Sequence, residues 1–242
     1  RMGAAVALAA AFAATSALAQ VKIGVIASTT GPTAVVGIPQ KNTVALLPTK
    51  VGDLTIEYIV LDDASDPTQS VMNAKKLLAE HRIDALIGPS GSPNAVGVMQ
   101  FMAEAGTPML APVGTTAVVL PMDEKRRWVF KTTQNDALIS DALIAHMVKH
   151  GVRTVGFIGF NDPYGENWYT VFSAQAQKAG IRIVASERFL RSDGSVAGQV
   201  AKLMAAKPDA VLVAAAGGPT VLPHTTLVDA GYQPEIAYFE CM

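Results

Sequence analysis

The sequence predicts an α/β protein built on parallel sheets. Three observations lead there. From Val21 onward, short apolar runs rich in β-branched residues alternate with helical patterns; the runs are continuously apolar, as strands covered on both faces are; and glycine or proline punctuates the junctions.

Taken in order, strands are expected at Lys22 to Ala27, Ile56 to Leu61, Ala85 to Ile87, Pro108 to Ala111, Val155 to Phe160, Ile181 to Ser186, Ala210 to Ala214 and Glu235 to Phe239. Helices are expected between them at Val35 to Leu47, Pro67 to Glu80, Pro93 to Ala105, Ala137 to His150, Tyr164 to Ala179, Ser195 to Ala206 and Thr220 to Ala230. Asp66-Pro67 supplies an N-cap followed by a proline in the first turn, and Gly106, Gly151, Gly180 and Gly231 each close a helical run. Pro121 to Arg127 interrupts the alternation with proline and charge. After it, Trp128 to Thr133 reads as extended chain leading into Gln134-Asn135-Asp136, residues suited to cap the next helix. A lobe boundary is expected near residue 133, giving a first lobe over 20–133 and a second over 134–242.

Length and charge limit the function. A chain of 242 residues, half of them hydrophobic, fills one large domain or two ordinary ones. Net charge is −1, and the one dense basic cluster, Lys125 to Arg127, is no stripe for a nucleic acid. The first residues, RMGAAVALAAAFAATSALAQ, hold an Ala-rich apolar run ending in the small-x-small pattern Ala17-Leu18-Ala19. That run is shorter than the roughly 18 residues a membrane span needs, so residues 1–19 read as a signal peptide and export to the periplasm is expected. Cys241 is the sole cysteine, which leaves no internal disulfide and no plausible nucleophile. His146 and His150 stand four apart without a carboxylate ligand beside them, so neither a metal nor a cofactor is expected.

In open parallel sheets, ligands bind beyond the carboxyl ends of the strands. In the first lobe those ends carry Ser28 to Pro32, Asp62-Asp63, Gly88 to Ser92 and Pro112 to Thr116; in the second they carry Asn161 to Glu166, Ala215 to Pro219 and Glu240. Leu86 to Val96, LIGPSGSPNAV, gathers backbone amides and Ser side chains where a strand turns into a helix, an arrangement suited to a carboxylate. Enzyme motifs fail at the same loops. Gly88-Pro89-Ser90-Gly91-Ser92 has Ser where a nucleophile elbow needs its second Gly, and neither a P-loop nor a dinucleotide fingerprint is present. Asp62 and Asp63, adjacent on extended chain, point apart and read as turn and cap residues.

The pieces IGVIASTTGPTAVVG, DDASDPTQSVMNAKKLL, DALIGPSGSPNAV, GTPMLAPVGTT and VGFIGFNDPYGENW occur in order, each at a strand end where a site is expected. Together they make the chain from Val21 to Met242 resemble the periplasmic branched-chain amino acid (Leu/Ile/Val-type) binding proteins, the substrate receptors of ABC transporters. The resemblance implies the type I two-lobed periplasmic binding protein fold, closing by a hinge on a small ligand. It also implies a non-catalytic, monomeric receptor partnered by a membrane permease. By the same resemblance Ser92 would bind the ligand carboxylate, Thr115 would touch both ends of an amino acid, and the Val113 carbonyl would meet the ammonium. Tyr164 would be a second-lobe aromatic contact and Glu240 the carboxylate facing the ammonium. Taken alone, Ser92 also reads as a helix N-cap, Tyr164 as rim packing and Glu240 as an exposed charge.

The chain departs from the family pattern in two places. Val36 stands where leucine receptors tend to carry an aromatic, and Ala215 to Gly218 holds no aromatic where a second one is expected. Both alter the pocket and open it to an aromatic or other carboxylic acid instead of leucine. The family continues beyond the position of Met242, so a C-terminally truncated receptor with incomplete sheets is expected. The alternatives are a sensory ligand-binding domain on the same fold and a secreted α/β hydrolase using Ser90 or Ser92.

Overall fold

The structure, a computed structural model, describes residues 20–232 and 238–240. Residues 1–19, expected as a signal peptide, residues 235–237 of the last expected strand, and Cys241 lie outside them.

Among the described residues, six strands form one sheet: β1 (Gln20–Ala27), β2 (Lys50–Val51), β3 (Leu54–Asp62), β4 (Ala85–Ile87), β5 (Met109–Ala111) and β6 (Val129–Lys131). Its order is β2-β3-β1-β4-β5-β6, parallel throughout except for the β2–β3 hairpin. Four more, β7 (Thr154–Phe160), β8 (Arg182–Phe189), β9 (Ala210–Ala214) and β10 (Tyr238–Glu240), form a second, wholly parallel sheet in the order β10-β9-β7-β8. Their connections contain α1 (Ala34–Val44), α2 (Pro67–Lys76), α3 (Ser92–Glu104), α4 (Asp136–Lys149), α5 (Pro163–Lys178), α6 (Ala197–Ala205) and α7 (Val221–Asp229). The α/β class with parallel sheets flanked by helices is therefore observed.

Each sheet covers its own core. Ile26, Leu77, Leu86, Met102 and Met109 are fully buried in the first cluster, and Phe157, Phe160, Trp168, Phe172 and Leu212 lie in the second. Strands central to such sheets are shielded on both faces, which is why they read as unbroken apolar runs.

Three local differences from the sequence reading have clear causes. The β2 strand was not expected: it is two exposed residues long, and only Gly52, at φ 57° in the first central position of a tight hairpin turn, signals it. The α-helix starting at Pro67 stops at Lys76 and widens into a π-turn over Leu77–His81, closed by Arg82 at φ 54°. At α4, Asn135 is the cap position but its side chain makes no capping bond, and Asp136 is already the first helical residue. The cap expected at Asp66 does form, its Oδ1 accepting from the amides of Thr68 at 2.6 Å and Gln69 at 3.1 Å.

Strand order fixes where a site lies. In the first sheet the order reverses at β1, between β3 and β4; in the second it reverses at β7, between β8 and β9. Crevices at such reversals are where α/β sheets take ligands. The exits of β1 and β4 carry Ser28 and Gly88 to Ser92, and those of β7 and β9 carry Asn161 to Glu166 and Ala215 to Pro219.

Candidate functional site

The two sets of exits face one another across a narrow cavity of about 10 Å³. Thr33, Val36, Ser90, Gly91 and Ser92 form its wall on the first-sheet side; Tyr164, Arg191 and Ala216 form the opposite wall. A larger cavity of about 180 Å³ lies between α1 and the first sheet, but Val25, Val44, Leu47 and Ile87 dominate its lining. It offers little to a charged ligand, so the cleft is the candidate site.

The first wall begins with a glycine. At Gly88, φ is 106°, and a Cβ there would lie 2.0 Å from the Ile26 carbonyl oxygen. Only glycine lets the chain leaving β4 cross so close to β1. Beyond it, the Ser90 hydroxyl accepts from the Ser28 amide at 3.0 Å and donates to Gln40 Oε1 at 2.5 Å. Both partners come from the protein itself, and the hydroxyl holds the β1 exit and α1 together.

Ser92 is buried, with 3% of its surface exposed. Gly91, not Ser92, is the N-cap of α3, and Ser92 makes no capping bond, which corrects the plain cap reading. Its Oγ accepts from the Thr115 amide at 3.4 Å, leaving its own O–H to donate elsewhere. The amides of Ser92 and Asn94 belong to the first turn, where helix geometry provides no acceptor. Pro93 between them carries no N–H.

Behind this wall, Asp63 is fully buried and accepts from Ser28 Oγ at 2.6 Å, Ser70 Oγ at 2.6 Å and Asn94 Nδ2 at 2.8 Å. It therefore ties the exits of β1 and β3 to α2 and α3, well beyond the turn role its sequence context suggests. Both keep that role as well: Asp63 Oδ1 also accepts from the Ser65 amide at 3.0 Å, and Asp62 accepts from Thr29, Thr30 and Ala64.

Thr115 and Val113 stand one layer behind the cavity. Thr115 is fully buried, and its Oγ1 accepts from the Ala117 amide at 3.2 Å; the Val113 carbonyl accepts from Thr133 Oγ1 at 2.7 Å. Neither lines the cleft, whereas Ser92, Val36 and Tyr164 do. The backbone of Glu240 pairs β10 to β9 opposite Ala214, and its side chain lies outside the described residues.

On the second wall, Asp162 caps α5, accepting from the amides of Tyr164 at 2.8 Å and Gly165 at 3.3 Å. Tyr164 is 1% exposed, its hydroxyl 3.4 Å from the Ala215 carbonyl oxygen. Its ring packs so closely on the opposite loop that a Cβ at Gly114 would lie 2.9 Å from it. Arg191 follows β8: its Nε donates to Asp162 at 2.7 Å, and its guanidinium stacks 4.1 Å from the centroid of Phe160.

Beside the cleft a polar chain crosses from one wall to the other. Thr116 Oγ1 donates to Asn167 Oδ1 at 2.6 Å, and Asn167 Nδ2 donates to Asp136 Oδ2. Burial pushes the Asp136 carboxyl up to about 6, against the opposing pull of Lys131 and the Asn167 bond. Burial also lowers the Lys131 ammonium, against the attraction of Asp136. Arg191, Asn167, Asp136 and Asp63 were not expected as site residues. Asn94 stood inside the LIGPSGSPNAV segment without an assigned task, and the other contacts join residues tens of positions apart.

Two mainly parallel sheets whose reversal points meet across a polar cleft make this a two-lobed α/β protein. Residues 20–240 match the periplasmic binding protein family, and the chain belongs to it. It is 29% identical over 227 residues to Leu/Ile/Val-binding protein homolog 3 of Brucella melitensis, covering 91% of this chain and 61% of the relative. Among solved structures, an extracellular ligand-binding receptor from Rhodopseudomonas palustris HaA2 is 44% identical with a TM-score of 0.88, over 91% of this chain and 61% of that one. A solute binding protein of an ABC transporter from the same organism, in complex with p-hydroxybenzoic acid, shares the fold at 23% identity and a TM-score of 0.81, over 92% and 61%. The chain thus spans about three fifths of the length of these relatives.

Proposed function

We propose that the chain is the ligand-binding part of a periplasmic receptor for an ABC importer, with lobes over 20–133 and 134–242 and no catalytic task. It takes a small carboxylic acid in the cleft and delivers it to a membrane permease as a monomer. The observation that carries this reading is Ser92: a buried hydroxyl whose proton has no acceptor among the described residues, beside first-turn amides of α3, opening on a cavity closed from the other side by Tyr164. Hydroxyl and amide donors at a helix start answer a carboxylate, and a wall on the far side lets the ligand stabilise closure. The named relatives support a receptor role, the Brucella protein by its Leu/Ile/Val-binding name and the Rhodopseudomonas protein by its bound p-hydroxybenzoic acid. The Ser90 hydroxyl, held between Ser28 and Gln40, argues against the hydrolase reading.

Calorimetric titration of the full chain with leucine and with 4-hydroxybenzoate tests the proposal. At least one should bind, and Ser92→Ala should weaken it by about ten- to a hundredfold, the range expected for losing a hydrogen bond to a charged group. Absence of binding by both, or a Ser92→Ala variant with unchanged affinity, would overturn it.

A further inference from the structure

Arg191 is the one cation among the described residues lining the cleft, and none of those lining residues is a carboxylate. Its side chain is 15% exposed and is held twice, by the Nε bond to Asp162 and by stacking on Phe160. Tyr164 lies on the same side, its ring centroid 5.9 Å from the guanidinium carbon. Both terminal nitrogens have no hydrogen-bond partner among the described residues. A guanidinium presents its donors as a planar fork. With Nε anchored and the plane fixed by a ring, that fork is pre-organised, so little side-chain freedom is lost when it takes an acceptor. Asp162 is itself fixed as the cap of α5, so the anchor does not compete with a ligand by swinging into the cavity.

The geometry points to Arg191 as a specificity-determining ligand contact. It selects an acid whose far end, away from Ser92, bears an oxygen acceptor or a second negative charge. Ser92 and the α3 amides hold one carboxylate on the first wall; the Arg191 fork takes the remote oxygen on the second. Branched-chain amino acids, whose far ends are hydrocarbon, lie outside this class, because the two terminal nitrogens of the guanidinium would be left facing methyl groups without an acceptor. This rests on the receptor reading above.

The test uses probes of one shape. The full chain is titrated with benzoate, 4-hydroxybenzoate, benzene-1,4-dicarboxylate and leucine, then repeated with Arg191→Met and Arg191→Lys. The ring acids with a para oxygen should bind about tenfold or more tighter than benzoate. Arg191→Met should erase that gain, weakening them about ten- to a hundredfold while benzoate changes less than about threefold. Arg191→Lys, which keeps the charge and loses the fork, should recover part of it. Benzoate binding doubles as the check that each variant folds. Equal weakening of all three ring acids would place Arg191 on the shared carboxylate or in a purely structural role and overturn the selectivity. Tight leucine binding unaffected by Arg191→Met would overturn it too. If the wild-type chain binds none of the four, the receptor reading falls with it; if it binds benzoate or leucine without gain from the para oxygen, this inference falls alone.

Discussion

The two walls of the cleft reach the same cavity by different means. On the first, neutral hydroxyls and amides beyond β1, β3 and β4 are fixed around the buried Asp63. On the second, Asp162 and Arg191, just beyond β7 and β8, supply a charge, and the rings of Phe160 and Tyr164 supply the surface beside it. A wall of neutral donors serves what all carboxylic acids share. A wall carrying a charge and a ring distinguishes one acid from another, and it is where selection can be placed. The difference also separates what a substitution should do on each side: damage to the fold on the first wall, damage to choice of ligand on the second.

The largest effect should follow Asp63→Ala. It removes the acceptor shared by the side chains of Ser28, Ser70 and Asn94 and by the Ser65 amide, leaving Ser70 only the Asp66 carbonyl and Asn94 Nδ2 only Ser70. Loss of a buried network of this kind is expected to lower the unfolding free energy by about 3–5 kcal/mol. Urea denaturation measures it. A loss below about 1 kcal/mol would mean that the first wall holds its shape without its hub, and the contrast with the second wall would collapse.

Next in size is a pH effect at Asp136. Burial raises its carboxyl to about 6, so the folded chain holds this proton more tightly than the unfolded chain does. The sign follows: its contribution to stability is fully present below about pH 4 and is lost as pH rises through about 6, by up to roughly 3 kcal/mol. Asp62 runs the opposite way. Burial pulls it upward, but donors from Ala64, Thr30 and Thr29 outweigh that and hold it below its ordinary value. Asp209 is held down by the Arg153 amide and Thr154. The two effects are separated by denaturing the wild type and Asp136→Asn at pH 4 and pH 8. The variant should gain on the wild type at pH 8 and not at pH 4. A constant difference across that range would show that Asp136 is ionised in the folded chain at both ends.

The same contrast explains what the sequence made legible. Ala85–Ile87 and Ala210–Ala214 are strands at the residues expected, because a parallel strand covered on both faces must be apolar throughout and so announces its own ends. The Asp66 cap is likewise local chemistry. Ser92 was readable as a site residue and as a cap; choosing between them required the position of Gly91 and the Thr115 amide. Asp63 looked like turn filler, since nothing local shows that Ser70 and Asn94 converge on it. Arg191 and the Thr116–Asn167–Asp136 chain carry no local signal at all. They exist through contacts between segments that only folding brings together, as the Asp63 contacts do.

The smallest predicted effect tests whether the walls act together. Thr116 follows β5 on the first-sheet side, and Asn167 is on α5; their 2.6 Å bond joins one wall to the other without touching the cavity. Thr116→Val keeps the shape and deletes the hydroxyl donor, leaving only the longer 3.3 Å bond from the Thr116 amide to the same oxygen, so about 1 kcal/mol of support for the closed arrangement is lost. If the ligand needs both walls, its apparent affinity falls by the fraction of chains no longer closed, about fivefold for that energy. The contacts to the ligand itself are intact, so all bound acids should weaken by one common factor, unlike the selective loss at Arg191. Titration of Thr116→Val with benzoate and benzene-1,4-dicarboxylate reads this directly. A common factor shows one wall gaining its hold through the other; no change in either would mean that each wall binds on its own and that the bond merely decorates the rim.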